Sequence, residues 1–255
     1  YLANTGPVLQ AGLLVANGQV LAPAQSCVEF AHRAGIVNGA TILDAGCGVA
    51  GPAVAIAESL SGVRIRGVTL SSRQVAIANK IIVEHELSRR VGVEQADFHC
   101  MNSADCEFDA AIFMESFGHS YDVLMLVAEM HRVLRPGGLL YIKDVFANNP
   151  ATDIQDDDLA AFNRQFVYRT QNLSSLASVL SDAGFSIIRA GSIESIVSYS
   201  TFKDSVYRLI GGNVVLTKFG ERHDTIFTDL PIYFGEILAQ KQARQAGKQI
   251  AAGGP

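Results

Sequence analysis

Two short stretches hold the residues best suited to chemistry. In Asp44-Ala45-Gly46-Cys47-Gly48-Val49-Ala50-Gly51 a carboxylate precedes a G-x-G-x-x-G run. Glycines at 46 and 48 let the main chain turn tightly and let a ligand approach the backbone, and a helix opening behind them exposes N–H groups. Such a run alone is weak, because tight strand–helix turns use glycine simply to pack. Here an apolar strand runs into it and a helical pattern follows, which is the context a nucleotide site requires. The second stretch is Met114-Glu115-Ser116-Phe117-Gly118-His119. Its carboxylate follows the apolar run Ala110–Met114, so it falls at a strand's carboxyl end, where ligands of open α/β sheets bind. A fixed carboxylate there can stabilise a cation or take a proton, and His119 can act as a base. The ordinary alternatives are a Glu bonded to nearby backbone and a loop histidine with a structural hydrogen bond.

The first site does not read as a dinucleotide site. A dinucleotide fold places an acidic residue about 20 positions on, at the end of the second strand, to hold the ribose. That strand ends Gly67-Val68-Thr69-Leu70-Ser71, without a carboxylate. The acid lies inside the motif instead, where it would repel a pyrophosphate but suit a ligand bearing an ammonium group. Ser71-x-x-Gln74 reads as a capping box opening the next helix. Asp97 closes the third strand, with Phe98 beside it.

The elements that must position these residues follow from periodicity. Strands are expected over Thr41–Ala45, Arg64–Leu70, Val91–Ala96, Phe108–Met114 and Gly138–Val145, and helices over Gly51–Ser61, Ser72–Ser88 and Tyr121–Leu134. This alternation predicts an α/β, Rossmann-like, doubly wound parallel sheet. Arg135-Pro136-Gly137-Gly138 is expected to stop the third helix and turn the chain into the next strand. Around the core at 41–146, residues 1–40 are expected to form a helical segment with a helix at Pro23–Ala34. Residues 147–171 read as a lid insertion. Residues 172–241 complete the sheet with a helix Asn172–Ala183 and strands Phe185–Arg189 and Phe234–Lys241, and contain an acceptor-binding insertion. Residues 242–255 read as a tail.

Composition bounds the class. The 255 residues are 49% hydrophobic and 18% charged, which excludes a disordered or fibrous chain. Twenty Lys and Arg against 25 Asp and Glu give a net charge of −5, against a general nucleic-acid binder. No apolar run reaches membrane-spanning length. Cys27, Cys47, Cys100 and Cys106 form no C-x-x-C pair and have no zinc-spaced histidines, so they read as reduced thiols in a cytoplasmic protein without a structural metal. The sequence begins at Tyr1 rather than Met, so its native start is expected upstream.

Residues 41–145 resemble the class I S-adenosylmethionine-dependent methyltransferases. Leu43-Asp44-Ala45-Gly46-Cys47-Gly48 resembles their first motif, which implies contact with the methionine end of S-adenosyl-L-methionine and of its product S-adenosyl-L-homocysteine. Leu134-Arg135-Pro136-Gly137-Gly138 resembles their late motif. Gly67–Ser71 is similar to the version in cyclopropane fatty acid synthases and geranyl diphosphate C-methyltransferases. There the resemblance gives the ribose to Thr69 and Gln74, the adenine amino group to Asp97 and the ring's flank to Phe98, with Leu70 and Met114 also lining the cofactor. Glu115-x-x-x-His119 resembles sterol C24- and tocopherol C-methyltransferases, while sugar O-methyltransferases show a similar Glu-Ser stretch. The leading expectation is therefore C-methylation of an isoprenoid or olefinic small molecule, with O- or N-methylation of a natural-product scaffold second. A non-catalytic cofactor-binding module is a third reading, from another class. Glu115 and His119 are the catalytic candidates. Arg164, Tyr168, Arg169 and Phe202 are weaker acceptor-binding candidates, amid Phe162, Phe166, Tyr199 and Tyr207. Asp156-Asp157-Asp158 reads as a solvated helix start, and Mg²⁺ enters only if the acceptor is a diphosphate. A homo-oligomer is compatible with the sequence.

Overall fold

The computed structural model describes residues 12–148, 157–197 and 230–243. The chain forms strands β1 (Gly12–Ala16) and β2 (Gln19–Val20), helix α1 (Pro23–Arg33), then β3 (Thr41–Ala45), α2 (Gly51–Ser59), β4 (Arg64–Thr69), α3 (Ser72–Glu84) and β5 (Val91–Gln95). It continues with β6 (Phe108–Met114), a 3₁₀ turn (Phe117–His119), α4 (Val123–Val133), β7 (Leu134–Ala147), α5 (Asp157–Phe166), β8 (Gln171–Asn172), α6 (Leu173–Asp182), β9 (Phe185–Ser192), β10 (Ser195–Val197) and β11 (Ile232–Lys241).

The main sheet runs β5-β4-β3-β6-β7-β11-β9, with β8 paired to β7. Its first five strands are parallel, and β11 lies antiparallel between β7 and β9. The order reverses beside β3, which opens a crevice at the strands' carboxyl ends. Along β3 the side chains alternate between two cores. Ile42 joins Phe30, Ile56, Ile65 and Ile82 on one face, and Leu43 joins Phe113, Leu126, Ile142 and Leu180 on the other. Both faces are buried, as crossover helices on both sides require.

Four differences from the sequence reading have local causes. Residues 12–20 form a hairpin of two strands, and β1 pairs with both β2 and β10 in a small antiparallel sheet. The N-terminal part is thus joined to the C-terminal half rather than being a helical segment by itself. Helix α3 stops four residues early, because Glu86 adopts a left-handed φ of 58°. Helix α4 starts at Val123 because Asp122 caps it, accepting the Met125 amide at 3.0 Å. The Pro136-Gly137-Gly138 run is no turn outside the sheet. It is a bulge within β7, where the register with β6 jumps from Phe108/Leu134 to Ala110/Leu139 and Gly137 takes φ 79°. Among the described residues no helix is long and apolar enough to cross a membrane.

Candidate active site

Strand β3 delivers Asp44 to the crevice with its side chain buried. Among the described residues no donor reaches Asp44 Oδ2, and burial pushes this carboxyl up to about 7. A buried oxygen without a donor is costly, so this one calls for a ligand donor such as an ammonium. The loop behind it is left-handed at Gly46, Gly48 and Ala50, with φ of 79°, 56° and 68°. Gly46 serves packing as much as ligand approach, since a Cβ there would meet the Ser116 Cβ at 2.5 Å. Ser116 in turn donates its hydroxyl to the Ala45 carbonyl at 2.5 Å. The loop is also ill suited to phosphate. The Gly46 and Cys47 amides both bond to the Val68 carbonyl at 3.0 Å, and Pro52 carries no N–H. Cys47 is buried, its thiol is held up by burial, and its sulfur fills the space where a Gly67 side chain would be.

Strand β4 ends at Thr69, whose hydroxyl donates to Gln74 Oε1 at 2.5 Å and accepts from the Ser71 amide at 3.3 Å. Only half of the expected capping box forms: Ser71 Oγ accepts from the Gln74 amide at 3.2 Å, but the Gln74 side chain turns to Thr69. That turns the Gln74 amide nitrogen away from Thr69. Leu70 follows, 67% exposed at the mouth, and Met114 is buried beneath. After β5, Asp97 Oδ1 accepts from the His99 amide at 2.9 Å and the His99 ring Nδ1 at 2.7 Å, and Oδ2 accepts from the Tyr121 hydroxyl at 3.0 Å. Burial raises the Asp97 carboxyl, but these donors outweigh it and hold it below its ordinary range. The Phe98 ring lies 3.7 Å from where a Gly46 Cβ would sit, so the motifs on β3 and β5 meet. Asp44, Gly46, Cys47, Gly48, Thr69, Gln74, Asp97 and Phe98 thus line one end of the sheet.

On the other side of the crevice, Glu115 follows β6 with a left-handed φ of 60°, a strained conformation for a residue with a side chain. Glu115 Oε1 accepts from the Gly12 amide at 2.8 Å and from the Lys143 ammonium. Lys143 is fully buried, donates to the Gly12 carbonyl at 3.1 Å, and lies 5.1 Å and 4.5 Å from the ring centres of Phe30 and Phe234. The carboxylate that the sequence places at the reactive face is therefore held in an ion pair under strand β1.

His119 is exposed. A carbonyl only accepts, so the 3.1 Å contact with Val167 requires Nδ1 to carry a proton, and in the neutral ring Nε2 is then the acceptor. Neighbouring Asp144 is buried and accepts from the amides of Phe117 (2.9 Å), Gly118 (3.2 Å) and Val145 (2.7 Å) and from the Tyr168 hydroxyl. Burial pushes Asp144 up to about 7, with the Glu115 charge adding and the amides and Lys143 opposing. Gly118 must be glycine here, because a Cβ would enter the Tyr168 ring at 2.1 Å. Arg169 donates its guanidinium to the Tyr121 carbonyl and its amide to Gly118 at 2.7 Å, and Arg164 is exposed. Residues 167–169 thus clasp the turn after β6, and Tyr168 and Arg169 serve that clasp. Phe202 lies outside the described residues, as do Asp156, Tyr199 and Tyr207.

Lys143, Asp144, His99, Ser116 and Ser120 escaped the sequence reading. For the first two a signal existed: Leu-Leu-Tyr-Ile-Lys-Asp-Val-Phe sets two adjacent charges inside a buried strand, which demands partners. Among the described residues no cluster of three or more His, Cys, Asp or Glu could hold a metal. A cavity of about 380 Å³ opens at the opposite end of the sheet, between residues 35–40 and 135–139. It is lined by the loop before β3, by the starts of β6 and β7 and by the Asp109–Arg135 pair, away from these groups.

The profile of the family described as "Methyltransferase domain" matches residues 43–142. An O-methyltransferase of Aspergillus nomiae is 34% identical over 168 residues, covering 63% of this chain and 70% of that protein. A sterol 24-C-methyltransferase of Gibberella zeae is 34% identical over 129 residues, covering 51% of this chain and 33% of that protein. The chain thus spans about a third of the sterol enzymes it matches. The fold matches geranyl diphosphate C-methyltransferase of Streptomyces coelicolor A3(2), solved with Mg²⁺, geranyl diphosphate and S-adenosyl-L-homocysteine. That match has a TM-score of 0.69 at 18% identity, over 86% of this chain and 80% of that one. With the Aspergillus nomiae O-methyltransferase 34% identical and covered over 70% of its length, the chain belongs to the class I S-adenosylmethionine-dependent methyltransferases.

Proposed function

We propose that this protein transfers a methyl group from S-adenosylmethionine to a small, largely apolar acceptor, and that the atom methylated is oxygen, or else nitrogen. The observation that carries the choice of atom is His119, whose Nδ1 is committed to the Val167 carbonyl and whose Nε2 lone pair belongs to an exposed ring at the carboxyl end of β6. The cofactor supplies a methyl group already activated by a sulfonium. The chain's own work is to hold the acceptor in line, exclude water and take the proton. Asp44 is the counter-charge for the cofactor's ammonium, and Thr69 with Gln74 holds the ribose. His119 Nε2 takes the acceptor's proton as its oxygen becomes an ether, and the resulting imidazolium returns it to solvent. The O-methyltransferase of Aspergillus nomiae is a relative of fitting kind.

The second reading, C-methylation of an olefin, is favoured by Glu115 at the carboxyl end of β6 and by the sterol relatives. It asks more of a carboxylate whose Oε1 already accepts from the Lys143 ammonium and the Gly12 amide, since those donors occupy the oxygen that a carbocation or its proton would need. Mg²⁺ has a part only with a diphosphate acceptor, as in the Streptomyces enzyme.

The test is incubation with methyl-labelled cofactor and a panel of phenols, glycosides, sterol-like alkenes and prenyl diphosphates. Label on oxygen or nitrogen is expected, with His119→Ala lowering kcat by about 10²–10⁴-fold while S-adenosylhomocysteine affinity stays within about twofold. Label on carbon alone, lost in Glu115→Gln and kept in His119→Ala, establishes the second reading instead.

A further inference from the structure

One buried side chain has no part in the transfer step, yet joins the two halves of the crevice. His99 is 3% exposed and lies between Asp97, on the loop after β5, and Ser120, at the end of the turn after β6. Its amide and ring Nδ1 both reach Asp97 Oδ1, at 2.9 and 2.7 Å, and its Nε2 lies 2.9 Å from the Ser120 hydroxyl, itself buried. A carboxylate only accepts, so Nδ1 carries the proton, and in the neutral ring Nε2 accepts from Ser120. Tyr121 stacks on the ring at 3.8 Å between centres and donates to Asp97 Oδ2 at 3.0 Å.

Counting acceptor positions gives the consequence. Each carboxylate oxygen offers two. His99 fills both on Oδ1, and Tyr121 fills one of the two on Oδ2. One position is left, on a carboxylate whose side chain is 28% exposed toward the crevice. We propose that His99, itself held by Ser120, is the positioning residue that sets Asp97 to distinguish a 6-aminopurine from a 6-oxopurine. The inference rests on the cofactor reading above. A 6-amino group donates into the remaining position, whereas a 6-carbonyl sets a second acceptor against an anion that His99 keeps from turning away. Because Ser120 follows directly on the turn bearing His119, the same link sets the purine side of the site against the acceptor side.

The test compares binding of S-adenosyl-L-homocysteine and S-inosyl-L-homocysteine by calorimetry, so it needs no turnover. The native chain is expected to prefer the adenosyl compound by at least about tenfold, the scale of one hydrogen bond to a charged group. His99→Phe keeps a ring beneath Tyr121 and removes both ring hydrogen bonds. It is expected to narrow the preference to about threefold or less, with the loss falling on the adenosyl compound. His99→Gln, which keeps an N–H donor and a carbonyl acceptor, is expected to restore most of it. A role in folding alone would weaken both ligands in parallel and leave the ratio unchanged, which overturns the proposal. Should His99→Phe fail to fold, Ser120→Ala reads the link from its far end: a two- to threefold narrowing supports it, and an unchanged ratio overturns it. If the native chain binds the adenosyl compound without preference, His99 has no such role although the cofactor reading stands. If it binds neither, both fall.

Discussion

Asp44 and Asp144 stand at the carboxyl ends of β3 and β7, both buried, and burial pushes both up to about 7. Their surroundings are opposite. Asp144 receives three amides and the Tyr168 hydroxyl, while Asp44 Oδ2 receives no donor from the described residues. Equal burial thus marks two different jobs. A carboxylate whose acceptor positions are filled by its own chain is scaffolding, whereas one with a buried oxygen that no described residue reaches has capacity left for a ligand. The contrast extends to the two sides of the crevice. The cofactor side keeps unfilled hydrogen-bonding capacity at Asp44 and Asp97. On the acceptor side Glu115 is tied to Lys143 and Gly12, and the turn after β6 is clasped by residues 167–169.

Substituting each aspartate separates the two jobs most sharply. Asp44→Asn is expected to weaken S-adenosylhomocysteine by more than about a hundredfold, because the ligand's ammonium loses its counter-charge. The same change raises the melting temperature of the unliganded chain at pH 8, since it removes an uncompensated buried charge. Asp144→Ala is expected to do the reverse. It strands three amides and a hydroxyl, costs about 3–5 kcal/mol by denaturant unfolding, and leaves ligand affinity within about threefold if the chain is assayed well below its midpoint. Binding that survives Asp44→Asn would erase the distinction.

Proton linkage sharpens it further. Both carboxyls are raised above the ordinary 3.8, so each of these two positions holds more proton in the folded chain than in the unfolded one between about pH 4 and 7. Their contribution to unliganded stability therefore falls as pH rises through that window. An ammonium beside Asp44 favours its anion, so binding expels the proton. Affinity for S-adenosylhomocysteine should climb about tenfold or more from pH 5 to 7 and level off above. Calorimetry in buffers of different ionisation enthalpy should register the released proton below pH 7. In Asp44→Asn the profile flattens; in Tyr168→Phe, which alters only Asp144's surroundings, it does not. A flat native profile would show that the ligand's amine does not meet Asp44.

The same divide separates what the sequence made legible from what it hid. The cofactor side is written locally: Leu43–Gly51, Thr69–Gln74 and Asp97–Phe98 each sit at the end of a strand whose apolar run announces it, so alternation alone places them in one crevice. The acceptor side is assembled from distant pieces. Lys143 meets Gly12 across 131 positions, and residues 167–169 close on the turn after β6 from 48 positions away. No short-range pattern encodes either contact. Residues 12–20 lack the length to declare themselves strands without β10 as a partner. Glu115 illustrates the limit: its place at the strand's end was readable, but the lysine that neutralises it came from the next strand across.

The smallest expected effect probes how far the cofactor side is preset by its own chain. Thr69 fixes Gln74 through the hydroxyl-to-Oε1 bond of 2.5 Å, turning the amide nitrogen outward, while helix α3 keeps its Ser71 cap independently of that side chain. Gln74→Ala should therefore lower S-adenosylhomocysteine affinity only about three- to fivefold and leave stability within about 0.5 kcal/mol. Thr69→Val removes the fixing bond but not the amide, and should cost about as much in affinity, since a free side chain must then be ordered on binding. Because both changes remove one arrangement, the double variant should lose little more than either single one. Losses that multiply would mean that Thr69 and Gln74 meet the ligand separately, so that the bond between them is a local convenience rather than part of the site.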